Sequence, residues 1–162
     1  MAGAVVTIAL FLDIDGVLNS VGYVYSRRPV GFGPKHMIDP EAVAVLNQIV
    51  ERWHPNIVLS STWRRSGRES IQRLLAEQGF IGELADVTPP DVDGRHRHED
   101  IKLWLDTNPR AWDRYVVIDD DPMAWSNAGY ADRGFYLATH FSLGLVPEHL
   151  PLLARWLEGP IE

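Results

Sequence analysis

Cysteine is absent from the 162 residues. That removes disulfides, thiolate metal ligands and thiol nucleophiles together, and it is compatible with a cytoplasmic location. An excess of positive charge is absent too: 15 Lys and Arg stand against 22 Asp and Glu, for a net charge of −7. The molecule as a whole is therefore not a general polyanion binder, and any nucleic-acid contact needs a local basic patch. Nor is there an apolar run of membrane-spanning length. The apolar N-terminal stretch, residues 2–12, has no Lys or Arg before it and ends in Asp13. A bilayer takes about 20 residues, so this stretch reads as a core strand, not a signal peptide, and no membrane partner is expected. Repeats and low-complexity tracts are missing as well. What remains, 46% hydrophobic and 23% charged residues, suits one soluble globular domain over residues 1–162.

The chain opens with a near-continuous apolar run, AVVTIALFL at 4–12, the pattern of a strand buried on both faces. Further strands are predicted at 56–61 (NIVLSS), 83–88 (ELADVT), 115–118 (YVVI) and 134–139 (GFYLAT). Residues 26–40, rich in Pro and Gly, read as a loop. Helices fall between the strands. Asp39 and Pro40 start one whose stripe is Val43, Leu46, Ile49, Val50 and Trp53. Ser66 and Glu69 have capping-box spacing for a second, which Gly79 ends. Ile101, Trp104 and Leu105 mark a third, and Leu150, Leu153, Ala154 and Leu157 a closing one over 147–158. Strands alternating with helices predict an α/β, Rossmann-like domain: a parallel five-stranded sheet with helices on both faces.

Ligands of such sheets bind beyond the carboxyl ends of the strands. Four polar clusters sit there: Asp13 and Asp15, Ser60 and Ser61, Asp119 to Asp121, and Thr139 with His140. Carboxylates converging on one crevice repel one another unless a cation joins them, and oxygen-only ligands suit Mg²⁺. Mg²⁺ usually shares its site with phosphate. A strand-end hydroxyl and a nearby basic side chain would complete a phosphoryl-transfer site, where catalysis is positioning plus charge neutralisation.

FLDIDGVLN at 11–19 resembles the first motif of the haloacid dehalogenase (HAD) superfamily of phosphotransferases; IVLSS at 57–61 is similar to its second, and YVVIDDD at 115–121 to its fourth. The resemblance spans essentially the whole chain. It implies that Asp13 is the nucleophile that becomes an aspartyl-phosphate. It implies that Asp15 is the acid that protonates the leaving oxygen and then the base that activates water. Mg²⁺ would be held by Asp13, the carbonyl of Asp15 and Asp120, with Asp119 in support and Asp121 capping the next helix. Gly16 would let the chain turn without blocking the phosphate. Alignment favours Ser61 over Ser60 for the phosphate hydroxyl. The family's third-motif lysine has no obvious counterpart; Arg97 and Lys102 are the candidates, and Arg97 lies nearer the crevice. His96 and His98 lack the further ligands a metal site needs.

The gaps after Asp15 and after Ser61 are too short for a large cap domain, which implies an open site. Basic residues leave the same strand ends: Arg27, Arg28, Lys35 and His36 after the first motif, and Arg64, Arg65 and Arg68 after the second. Arg27, Arg28, Arg64 and Arg65 are candidate phosphate contacts, and Trp63 a candidate base-stacking surface. The expected function is Mg²⁺-dependent hydrolysis of a phosphate monoester, on a phosphorylated small molecule such as a nucleotide or on a nucleic-acid end. The STWR stretch and capless layout also resemble HAD domains of RNA-repair proteins. Two rival readings are a receiver-type phosphoacceptor domain and a catalytically weak HAD-like binding module.

Overall fold

The computed structural model describes residues 4–27, 37–89, 94–126 and 129–160. Five parallel strands form its centre: β1 (Ile8–Leu12), β2 (Asn56–Leu59), β3 (Leu84–Val87), β4 (Arg114–Asp119) and β5 (Gly134–Ala138). Their order across the sheet is β3-β2-β1-β4-β5. β1 and β4 are buried along their whole length, as the unbroken apolar runs require. The first strand is shorter than the 4–12 expected. Val5 is 90% exposed, and the ladder begins only where Ile8 meets Arg114.

Alternation divides the core in two. Leu10 and Leu12 of β1 pack with Val43, Leu46 and Ile49 of α2 (Pro40–Trp53). The same layer takes Ile71 and Leu75 of α3 (Arg68–Glu77) and Leu153 of α5 (Leu150–Leu157). Ala9 and Phe11 face the other way, onto Ile101, Trp104 and Leu105 of α4 (Arg97–Thr107). Helices thus cover both faces. The described residues hold no cap domain.

Local signals account for several ends. Asp39 caps α2 by accepting from the Glu41 amide at 2.9 Å, with Pro40 at the first helical position. Gly79 takes φ +94° just past α3, where a left-handed residue ends a helix. Two expectations fail. Ser66 does not cap α3: the chain leaves β2 through a 3₁₀ turn, Thr62–Ser66, and Gly67 stands at the cap position without a side-chain bond. The segment read as uninterrupted loop carries the end of a helix, α1 (Val21–Arg27). Its start is held by tertiary contacts: the Val21 amide donates to the Phe141 carbonyl at 2.9 Å and the Gly22 amide to Ser142 at 3.3 Å.

Candidate active site

All four polar strand ends open on one edge of the sheet. Asp13 follows β1 directly, and its amide donates to the Ile118 carbonyl at 3.1 Å, extending the ladder by one step. The residue is 2% exposed. Register pairs Leu12 with Ile118, so Asp119 stands beside Asp13 at the next step. Carboxylate oxygens of Asp13, Asp119 and Asp120 all lie within 4.8 Å of one another. Buried acids this close cannot all ionise without a cation. Burial first, and then the Asp119 charge, push the Asp13 carboxyl from 3.8 up to about 8, although Arg97 pulls the other way. Asp120 is raised by the same two causes.

Arg97 is the first residue of α4, and its Nη1 lies 2.6 Å from Asp119 Oδ2 and 3.2 Å from Asp13 Oδ2. Burial opposes the guanidinium's charge, yet Asp13 and Asp119 hold it above its usual value. Lys102, the other candidate, points away and pairs with Asp106 at the surface, 2.7 Å off. His96 and His98 stack on each other; His98 Nδ1 lies 3.0 Å from the Met123 carbonyl. Neither belongs to the acidic cluster.

After Asp13 the chain wraps around the Ile14 carbonyl, which accepts from the amides of Val17, Leu18 and Asn19. Gly16 makes that turn at φ +75°, and a β-carbon on it would lie 2.4 Å from Asp120 Oδ2. The glycine therefore clears space for the Asp120 carboxylate. Thr139 Oγ1, at the end of β5, donates to the Gly16 carbonyl at 2.8 Å and pins the turn. Asp119 Oδ1 accepts the Asp121 amide at 2.9 Å, while Asp121 accepts from Met123 and caps the next turn.

Asp15 is exposed, and it lies outside the three-acid cluster. Its Oδ1 accepts from Asn19 Nδ2 at 2.8 Å and from Trp63 Nε1 at 3.0 Å. With Gly16, Asn19, Val21, Val24, Tyr25, Asp120 and Phe141 it lines a cavity of about 400 Å³. Neither donor was singled out for this role in the sequence. Asn19 stands inside the first motif, but only the fold brings Trp63 to Asp15, 48 residues away.

The two serines differ. Ser61 Oγ accepts the Trp63 amide at 3.2 Å as the cap of the 3₁₀ turn, leaving its hydrogen available to donate. Ser60 is fully buried, and its Oγ has no hydrogen-bond partner among the described residues.

The arginines of the second motif separate as well. Arg65 is exposed and borders a groove of about 530 Å³ with Met37, Trp63 and Leu74. Arg64, expected to face a substrate phosphate, is turned inward. Its side chain is 6% exposed, donates to the Ser61 carbonyl at 2.9 Å and lies 3.5 Å from Asp100 Oδ2. Asp100, also buried, is paired by Arg95 too. A buried carboxylate on α4 draws the cation in, and the pair ties the second-motif turn to the helix that carries Arg97. Arg68 is exposed and donates to the carbonyls of Leu84 and Ala85. The Arg27 side chain, Arg28, Lys35 and His36 lie outside the described residues.

No helix among the described residues is long and apolar enough to cross a membrane. The strand order separates this chain from a receiver-type domain, whose order is 2-1-3-4-5. No curated protein and no solved structure matches it. A family model does, over residues 9–150, from β1 to the start of α5. The chain therefore belongs to the family described as the HAD domain in Swiss Army Knife RNA repair proteins.

Proposed function

We propose that the protein is a divalent-cation-dependent phosphatase whose substrate is the phosphate monoester of a nucleotide or of a nucleic-acid end. The observation that carries this reading is the buried Asp13, clustered with Asp119 and Asp120 and bridged to Asp119 by Arg97. The donor set fits Mg²⁺: three carboxylates, no sulfur or imidazole, and a charge deficit visible in the raised Asp13 and Asp120. Asp13, Asp120 and the Asp15 carbonyl would hold the ion, supported by Asp119. A bound ion would supply charge neutralisation to the acids and Lewis-acid stabilisation to a phosphate oxygen.

The residues then divide the work. Asp13 attacks phosphorus: an oxygen–phosphorus bond forms to its carboxylate as the bond to the leaving oxygen breaks. Asp15 gives that leaving oxygen its proton. A water then attacks the aspartyl-phosphate and returns a proton to Asp15; Asp13 is freed, and inorganic phosphate and an alcohol are the products. Arg97 and the Ser61 hydroxyl face charge that develops on the phosphoryl oxygens. The family's RNA-repair association supports a nucleic-acid end, and the lack of a cap among the described residues is compatible with a bulky substrate.

The test is phosphate release with Mg²⁺ and with EDTA, across 3′- and 5′-phosphorylated RNA oligonucleotides, nucleotides and sugar phosphates. Metal-dependent release, abolished in Asp13→Asn and fastest on nucleotides or oligonucleotide ends, is the expected result. Equal turnover in Asp13→Asn defeats the mechanism. Preference for a neutral sugar phosphate defeats the substrate assignment.

A further inference from the structure

We propose that Trp63 and Asn19 are positioning residues that hold Asp15 by one oxygen and so dictate which oxygen exchanges the proton. Both hydrogen bonds fall on Oδ1, at 3.0 and 2.8 Å. The indole N–H is a donor only and can take no proton itself. Asn19 has its amide orientation fixed, because its own Oδ1 accepts the Gly16 amide at 3.0 Å. Its NH₂ must therefore face Asp15. A carboxylic acid with two donors on Oδ1 carries its hydrogen on Oδ2, the oxygen left for the substrate.

The Trp63 ring is itself anchored. Its amide is bound by Ser61, and its ring is half-buried against the core. An exposed carboxylate at a turn would otherwise sample several rotamers, and holding it in one geometry is worth more to catalysis than to stability. The arrangement also links two motifs. The turn that brings the Ser61 hydroxyl brings, two residues later, the group that aims the acid.

This inference rests on the acid–base role proposed for Asp15. In the first step the proton leaves Oδ2 for the leaving oxygen as that oxygen takes the electron pair of the breaking P–O bond. In the second, water delivers a proton back to Oδ2. A leaving group stable as an anion needs no such proton, whereas an alkoxide does.

The experiment compares kcat/KM, which reports the chemistry up to leaving-group departure, for wild type, Trp63→Phe and Asp15→Asn. The substrates are 2,4-dinitrophenyl phosphate, phenyl phosphate and an alkyl phosphate. Trp63→Phe keeps a ring in place and removes only the donor. We expect its loss on the alkyl ester to exceed its loss on the dinitrophenyl ester by about tenfold, in the same direction as Asp15→Asn but smaller. A uniform loss across the series would mean that Trp63 merely shapes the fold, and no loss would mean that its hydrogen bond is idle; either overturns the proposal. If Asp15→Asn itself showed no leaving-group dependence, the acid assignment would fall, and that failure is distinct. Thermal melts of Trp63→Phe, and an Asn19→Ser variant that should steepen the same dependence, guard against a folding defect.

Discussion

Gly16 and Asp120 share a space that admits no β-carbon: one built on Gly16 would lie 2.4 Å from Asp120 Oδ2. The first and fourth motifs are therefore in contact, and the Asp120 carboxylate owes its place to a missing side chain. Gly16→Ala should displace Asp120 and raise the Mg²⁺ concentration for half-maximal activity at least tenfold. Backbone strain at φ +75° adds a stability cost of about 1 kcal/mol. Gly79→Ala is the control. It has similar strain at φ +94°, with nothing within 4 Å of the added carbon. It should lower stability by a similar amount and leave the Mg²⁺ titration where it was. A Gly16→Ala enzyme with an unshifted titration would show that Asp120 is not a ligand.

The Asp13 carboxyl gives a pH dependence with a definite sign. Its pKa is about 8 in the folded chain, against an ordinary value of 3.8, because of burial and then Asp119. The folded state thus holds a proton that the unfolded state has released. Metal-free protein should lose stability as pH rises from about 4 to about 8 through this group. Asp13→Asn cannot ionise, so it should raise Tm most near pH 8 and least near pH 4. Saturating Mg²⁺ should reverse the order at pH 8, since only the carboxylate gains from the ion. For a chain of this size about 1 kcal/mol moves Tm by about 2–4 °C, within reach of melts in EDTA and in Mg²⁺. A gain from Asp13→Asn that did not vary with pH would remove the charge argument.

The sheet and its acidic edge were legible because buried parallel strands announce themselves as unbroken apolar runs, and the acids end those runs. Asp39–Pro40 and Gly79 were legible as caps for local reasons. The rest is tertiary. Val21, Gly22 and Val24 are poor helix formers, and α1 depends on the Phe141 and Ser142 carbonyls that receive its first amides. The Ser66–Glu69 spacing lost to Ser61, which caps the turn first. Arg64 and Arg65 are neighbours with the same chemistry; what turns one inward is Asp100, 36 residues away.

Arg97 touches both Asp13 and Asp119, so its removal should separate catalysis from metal binding. Arg97→Ala leaves the acids more negative, and Mg²⁺ should bind more tightly. At the same time kcat should fall about 100-fold, the cost of one missing donor to a developing oxyanion. Arg97→Lys should recover part of the rate, since it restores the charge but not the two-carboxylate reach. Weaker Mg²⁺ binding in Arg97→Ala would mean that the arginine organises the acids and does not compete with the ion.

Arg64 and Arg65 should fail in different ways. Arg64→Ala leaves Asp100 buried with Arg95 alone, and should cost about 3 kcal/mol of stability, the low end for breaking a buried pair. Arg65 is exposed beside the groove next to Trp63, and its contribution should be to anionic substrates. Every phosphate contact makes binding fall with salt, with a slope of about 0.7 per contact for a single strand. KM for a phosphorylated oligonucleotide should therefore rise more steeply with ionic strength than KM for p-nitrophenyl phosphate. Arg65→Ala should reduce that difference by about one contact's slope, with a Tm close to wild type. Steady-state kinetics on both substrates from about 50 to 300 mM salt decides the matter. If the two substrates respond alike in the wild type, Arg65 is a solvated charge and the basic loops make no backbone contact.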